Sequence, residues 1–121
     1  MIKNVDIKGV HMKIDDDLTK YIVKKVNKLD KFIPKKAKES AHAEVFIKES
    51  SSKEKKQYTC EIIIHLPKEI ITTKETTLNT YAAVDIVEAK LKNQLKKYKE
   101  KHSVLRLHRK VLKKVLSRRI A

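Results

Sequence analysis

The sequence predicts an α+β domain in the order β-α-β-β-β-α: a four-stranded sheet with two helices packed on one face, followed by a basic helical C-terminal extension. Three observations predict it. Four short segments read as strands, two by alternation of apolar and polar side chains and two by their Ile-rich or β-branched content; two longer segments carry apolar residues three and four apart, and each helical segment has one apolar stripe to bury.

The first strand is read from Ile2, Val5 and Ile7, set among Lys3, Asn4, Asp6 and Lys8, and is expected to stop at Gly9, the only glycine of the chain. Asp15, Asp16 and Asp17 then supply carboxylates to the free N–H groups and positive dipole end of a helix, with Asp15 as the expected cap. Leu18, Ile22, Val26, Leu29 and Ile33 recur at helical spacing, and Pro34 is expected to end that helix. Ala43, Val45 and Ile47 alternate through a second strand over residues 41–49, parallel to the first if the two pair. SSSKEKK reads as a polar turn, Tyr58 to Leu66 as an Ile-rich strand, Pro67 with Lys68 as a turn, and EIITTKE as the last strand of a meander. The far sheet face is expected to be solvated, carrying Lys48, Glu49, Glu61 and His65.

The second helix begins in TYAAVDIVEAKLKNQLKKYKEK. At 100° per residue Val84, Val87, Leu91, Leu95 and Tyr98 form its core stripe, Lys90, Asn93, Lys97 and Lys101 fall on the far side, and Lys92, Lys96 and Lys99 on a flank. Lys20, Lys24, Lys28, Lys31 and Lys35 lie opposite the apolar stripe of the first helix. Residues 1–102 are taken as the domain and residues 103–121 as the extension, a second amphipathic run. A continuous helix from residue 80 to about 118 would be ~60 Å long, more than a domain of this size can cover, so the extension is expected to fold back or to meet a partner.

Charge bounds the function. The chain of 121 residues carries +15, and the excess is uneven: residues 1–79 hold a net +5, residues 80–121 a net +10. Such a field attracts polyanions over a Debye length. Catalysis finds no support in residue types. The five histidines, His11, His42, His65, His102 and His108, show no metal-ligand spacing, and a single glycine rules out a glycine-rich phosphate loop. Thr59 and Ser103 have no visible base, and the acidic triplet lacks the alternating ligands of an EF-hand loop. No enzyme, metal, cofactor or small-molecule substrate is therefore expected. Cys60, the only cysteine, reads as a buried thiol in a reducing compartment, and no segment reaches the ~20 apolar residues of a membrane span, so a soluble cytoplasmic protein is expected.

Nucleic acid is the polyanion these patterns fit. Aromatic residues make up 5% of the chain and form no row on a strand, which argues against base stacking. Lysine-rich helix faces instead suit recognition of phosphate position and shape.

Three segments carry a family resemblance: I-K-G-V-H-M-K-I-D-D-D-L near the start, K-K-V-N-K-L-D-K-F in the first helix, and T-Y-A-A-V-D followed by K-L-K-N-Q-L-K-K in the second. Over about residues 1–102 the chain resembles the short ribosome hibernation factors, the family of hibernation-promoting factor and ribosome-associated inhibitor A. The resemblance implies a fold similar to double-stranded-RNA-binding domains and binding to the small ribosomal subunit and its rRNA, in the channel used by mRNA and tRNA. It implies a steric block of translation that preserves idle ribosomes. Basic family positions that face rRNA match Lys25, Lys28, Lys31, Lys90 and Lys97, whereas Asn93 stands where relatives often carry Arg. Long family members add a C-terminal dimerisation domain, for which the 19 residues after His102 are too few, and promotion of ribosome dimers is left open. With the outward lysines of the helical wheel, the candidate RNA-binding set is Lys24, Lys25, Lys28, Lys31, Lys90, Lys92, Lys96, Lys97 and Lys101. Arg106, Arg109, Lys110, Lys113 and Lys114 of the extension complete it. Two other readings fit the residues: a structural protein self-associating through Leu105, Leu112 and Leu116, and a general duplex-RNA binder.

Overall fold

The computed structural model describes the backbone of residues 4–52 and 55–120 and the side chains of residues 5–51 and 55–101. Its elements are β1 (Asn4–Val10), α1 (Asp16–Lys28), a 3₁₀ turn (Leu29–Phe32), α2 (Lys35–Lys38), β2 (His42–Ser52), β3 (Lys55–Leu66), β4 (Glu69–Thr77) and α3 (Thr80–Ile120). The sheet order is β1-β2-β3-β4; β1 runs parallel to β2 and the other pairs are antiparallel. This is the predicted α+β order, with a short helix added before β2.

Alternation decides which face is covered. Ala43, Val45 and Ile47 of β2 lie opposite Ile64, Ile62 and Cys60 of β3, all fully buried, and Ile64 and Ile62 lie opposite Ile71 and Thr73 of β4. The helices close this face with Leu18, Ile22 and Val26 from α1 and Val84, Val87, Leu91, Leu95 and Tyr98 from α3. At ~2 kcal/mol for each large aliphatic side chain removed from water, this single layer supplies most of the drive to fold. The Cys60 thiol, pushed up to about 12 by burial and then by Glu61, is a packing group, as expected from its neighbours.

Local chemistry sets the helix ends. Asp15 caps α1 as predicted, its Oδ1 accepting from the Leu18 N–H at 2.7 Å. Asn79 does the same for α3, accepting from the N–H groups of Tyr81 and Ala82 at 2.8 and 3.4 Å. On its other edge α3 is tied to the sheet by Thr73, whose hydroxyl donates to Gln94 Oε1 at 3.2 Å, and by Tyr98, whose hydroxyl donates to the Pro67 carbonyl at 3.3 Å.

Four expectations need correction. β1 does not stop at Gly9 but passes through it to Val10; a Cβ there would lie 2.3 Å from the Met12 carbonyl oxygen, so the glycine serves close backbone approach within the following turn. The first helix does not run evenly to Pro34. It tightens into the 3₁₀ turn, and Ile33, forced out of helical conformation by the proline after it, is extended (φ −98°, ψ 128°). Both Leu29 and Ile33 still reach the core. Pro34 precedes the one-turn α2, held by an ion pair of Lys38 with Asp30 at 3.4 Å. SSSKEKK is mostly strand: Ser50, Ser51 and Ser52 pair with Gln57, Lys56 and Lys55, because a backbone ladder closes whatever the side chains when both faces are wet. Lys53 and Glu54 of that stretch, like Ile2 and Lys3, lie outside the described residues. Glu49 shares the face of Ile47 rather than the open one, and it pairs with Lys56 at 3.5 Å beyond the reach of the core.

The extension neither folds back nor starts a new element. The backbone of α3 continues as one helix of 41 residues to Ile120, ~60 Å at 1.5 Å per residue.

Gly9→Ala is expected to destabilise the domain by about 1–3 kcal/mol, through the clash of the new methyl with the Met12 carbonyl, whereas Asp15→Ala costs about 1 kcal/mol through the lost cap. Urea unfolding followed by circular dichroism checks both.

Candidate nucleic-acid interface

α1 and α3 lie side by side and run in the same direction, so their facing flanks form one furrow. At its upper end Tyr21 packs edge-to-face on Tyr81 with ring centroids 4.9 Å apart, and the Tyr21 hydroxyl donates a hydrogen bond to Asp85. Lys25 sits between the helices, 3.2 Å from the Asp85 carboxylate and 3.5 Å from that of Glu88, with its own ring contact to Tyr21 at 5.4 Å. These groups shift one another. The hydrogen bond from Tyr21, reinforced by Lys25, holds the Asp85 carboxyl below the usual carboxylate range. In return Asp85 raises both the Tyr21 phenol and the Lys25 ammonium.

One turn further down the furrow the carboxylates end. Lys31 from the 3₁₀ turn and Lys92 and Lys96 from α3 surround the half-buried ring of Phe32, their Nζ atoms 5.1, 5.6 and 5.5 Å from its centroid. A ring face attracts ammonium groups and offsets part of their mutual repulsion. Lys28, exposed on the outer face of α1, adds a fourth charge. Among the described residues no carboxylate lies within 4 Å of any of these four lysines. The furrow is therefore zoned, compensated at the Tyr21 end and cationic at the Phe32 end.

The candidate lysines separate on this frame. Lys31, Lys92 and Lys96 converge on Phe32, while Lys24 and Lys28 stand on the outer face of α1, bordering a shallow depression with Lys20, Val23 and Asn27. Lys25 is not presented outward: its side chain is 19% exposed and both neighbouring carboxylates hold it, so it acts as a strut between the helices. Lys90 forms an ion pair with Glu75 of β4, which anchors α3 to the sheet edge. Lys97 and Lys101 lie on that same β4 side of α3, around a second depression with Ile70, Thr72 and Tyr98, turned away from the furrow. Asn93 is exposed between the two flanks. Arg106, Arg109, Lys110, Lys113 and Lys114 lie on the α3 backbone, but their side chains are outside the described residues.

Sequence reasoning missed two features. Phe32 organises three lysines; the local signal is a ring next to Lys31, but its other partners, Lys92 and Lys96, are about 60 residues on and only packing joins them. The second is a cluster that spacing along the sequence does not show: register across β2 and β3 brings ligand atoms of His42, Glu44 and His65 within 4.8 Å of one another. The alternation of His42 and Glu44 on one strand face was readable; the cross-strand partner was not.

Fold and furrow define a class: a small α+β domain, one sheet face under two parallel helices, with a cationic groove suited to a phosphate backbone. The chain belongs to the family described as Sigma 54 modulation protein / S30EA ribosomal protein, which matches residues 5–103. A relative from Lactococcus lactis subsp. cremoris, a ribosome hibernation promotion factor, is 31% identical over 101 residues, covering 82% of this chain and 50% of its own length. The chain thus spans about half the length of that relative. Among solved structures, the N-terminal domain of Thermus thermophilus Protein Y is similar with a TM-score of 0.65 and 25% identity, over 80% of this chain and 97% of that one. A ribosomal subunit interface protein from Coxiella burnetii shares the fold, with a TM-score of 0.64 and 20% identity over 80% and 98% of the two chains. Among the described residues no helix is long and apolar enough to cross a membrane.

The strut makes a pH prediction. A carboxyl whose folded pKa is depressed stabilises the fold above its unfolded value of about 3.9 and loses that contribution as the pH falls through the lower folded value. Asp85→Asn is therefore expected to weaken the domain at pH 6 and to flatten the acid limb of its stability below about pH 4, as measured by urea midpoints across pH 2.5–7.

Proposed function

We propose that this chain is a non-catalytic ribosome hibernation factor of the cytoplasm. Its helical furrow docks on small-subunit rRNA in the mRNA and tRNA channel, blocks translation sterically and keeps idle ribosomes intact. Family membership and the Lactococcus relative support a ribosomal partner. The observation that carries the reading is the convergence of Lys31, Lys92 and Lys96 on Phe32, with no carboxylate within 4 Å of them among the described residues. Burying such a patch against phosphates releases counterions from the RNA, which gives affinity without base readout.

The separation of the lysines refines the roles. Lys24, Lys28, Lys31, Lys92 and Lys96 contact RNA across the furrow, while Lys97 and Lys101 form a secondary contact from the β4 side of α3. Lys25 and Lys90 hold the helices in place, and their effect on RNA is indirect. Residues 1–102 form the docking domain, and residues 103–121, through Arg106, Arg109, Lys110, Lys113 and Lys114, anchor it along further RNA.

Lys92→Glu with Lys96→Glu is expected to leave a folded domain that binds isolated small subunits at least tenfold more weakly. The slope of log affinity against log salt should fall by about 1.5 units, somewhat under one unit per lost phosphate contact. Lys8→Glu with Lys74→Glu, an equal charge change on the opposite side of the sheet, should alter binding far less. Sedimentation with purified subunits over a salt series checks both. Equal weakening by the two pairs would refute the docking surface, and equal affinity for an arbitrary RNA duplex would favour a general duplex binder.

A further inference from the structure

We propose that His42, Glu44 and His65 form a binding site for a divalent transition-metal ion of the zinc type on the open face of the sheet. This face lies opposite the helices, and the site does not depend on the ribosomal reading. His42 and His65 are direct partners across the β2–β3 ladder, and Glu44 is two residues along β2, on the same face. Cross-strand partners and their diagonal neighbours are the positions from which side chains on a sheet meet. The two imidazoles stack with centroids 4.1 Å apart and planes 7° from parallel. Both turn Nε2 toward one carboxylate oxygen: His65 at 2.9 Å and His42 at 3.9 Å from Glu44 Oε1.

Two imidazole nitrogens and a carboxylate oxygen are donors that zinc takes at about 2.0–2.2 Å, which sets tetrahedral ligands roughly 3.3 Å apart. The three ligand atoms lie within 4.8 Å of one another, and all three side chains are partly exposed, so rotations about their own side-chain bonds close the difference without moving the ladder. Calcium and magnesium are poor candidates, since they require more oxygen donors. Three protein ligands leave a fourth position for water or a donor from a partner. The bound ion would staple β2 to β3 and replace the hydrogen bond between His65 and Glu44.

Titration of the full chain with Co²⁺, followed by its visible absorption, and with Zn²⁺, followed by calorimetry and thermal unfolding, tests the site. One equivalent per chain is expected, with a rise in Tm on adding Zn²⁺. His42→Ala and His65→Ala should each weaken Zn²⁺ binding at least tenfold. Glu44→Gln, which keeps the size and a hydrogen-bonding oxygen and so guards against a folding defect, should abolish the Tm rise. His11→Ala serves as the control and should change nothing. Absence of binding at millimolar Zn²⁺, or binding that survives either histidine substitution or Glu44→Gln, would overturn the proposal.

Discussion

Burial of one sheet face beneath two parallel helices is the constraint on which the other features depend. The covered layer is aliphatic from β2 to β4, and each helix has only one stripe with which to meet it. Once those stripes face inward, the orientation of every other helical position follows from the 3.6-residue period. The lysines are outward because the leucines, isoleucines and valines are inward.

Two rods on one plate also create a furrow, and the furrow divides its own charges. Lys25, half-buried between α1 and α3, meets Asp85 and Glu88, and Tyr21 completes the set. An ammonium partly withdrawn from water, as this one is, gains from having these carboxylates beside it. Further along, where the helix flanks reach solvent around Phe32, Lys31, Lys92 and Lys96 gather with no carboxylate within 4 Å among the described residues. Part of the basic excess is thus structural and part is available to an outside polyanion. The two parts are adjacent: the strut that fixes the helix spacing also fixes the spacing of the exposed lysines.

The sheet separates this surface from a second one of different character. Its open face carries Lys8, Lys48 and Lys74 spread over three strands, and on β2 and β3 it gathers His42, Glu44 and His65 beside Phe46 and Ile63. Stacked imidazoles turned on a common carboxylate are a use of a sheet face that coulombic attraction to RNA does not require. A ligand on that face can change the stability of the β2–β3 ladder without touching the helical furrow.

Period and caps made most of the fold legible. The stripes at Leu18, Ile22, Val26 and at Val84, Val87, Leu91, Leu95, the cap at Asp15 and the alternation at Ala43, Val45 and Ile47 are local facts that burial reproduces. Where local reading slipped, a longer-range contact decided: backbone approach at Gly9, ladder pairing at Ser50 to Ser52, and the proline clash that extends Ile33. The sequence by itself determined the order of elements, the covered faces and the surplus of positive charge, because these depend on neighbours three or four residues away. Only the tertiary structure decided that Lys25 and Lys90 are held by carboxylates while Lys31, Lys92 and Lys96 gather on one ring, and that His65 finds His42. Those outcomes depend on which residue of a distant element arrives opposite, and packing, not periodicity, sets that distance.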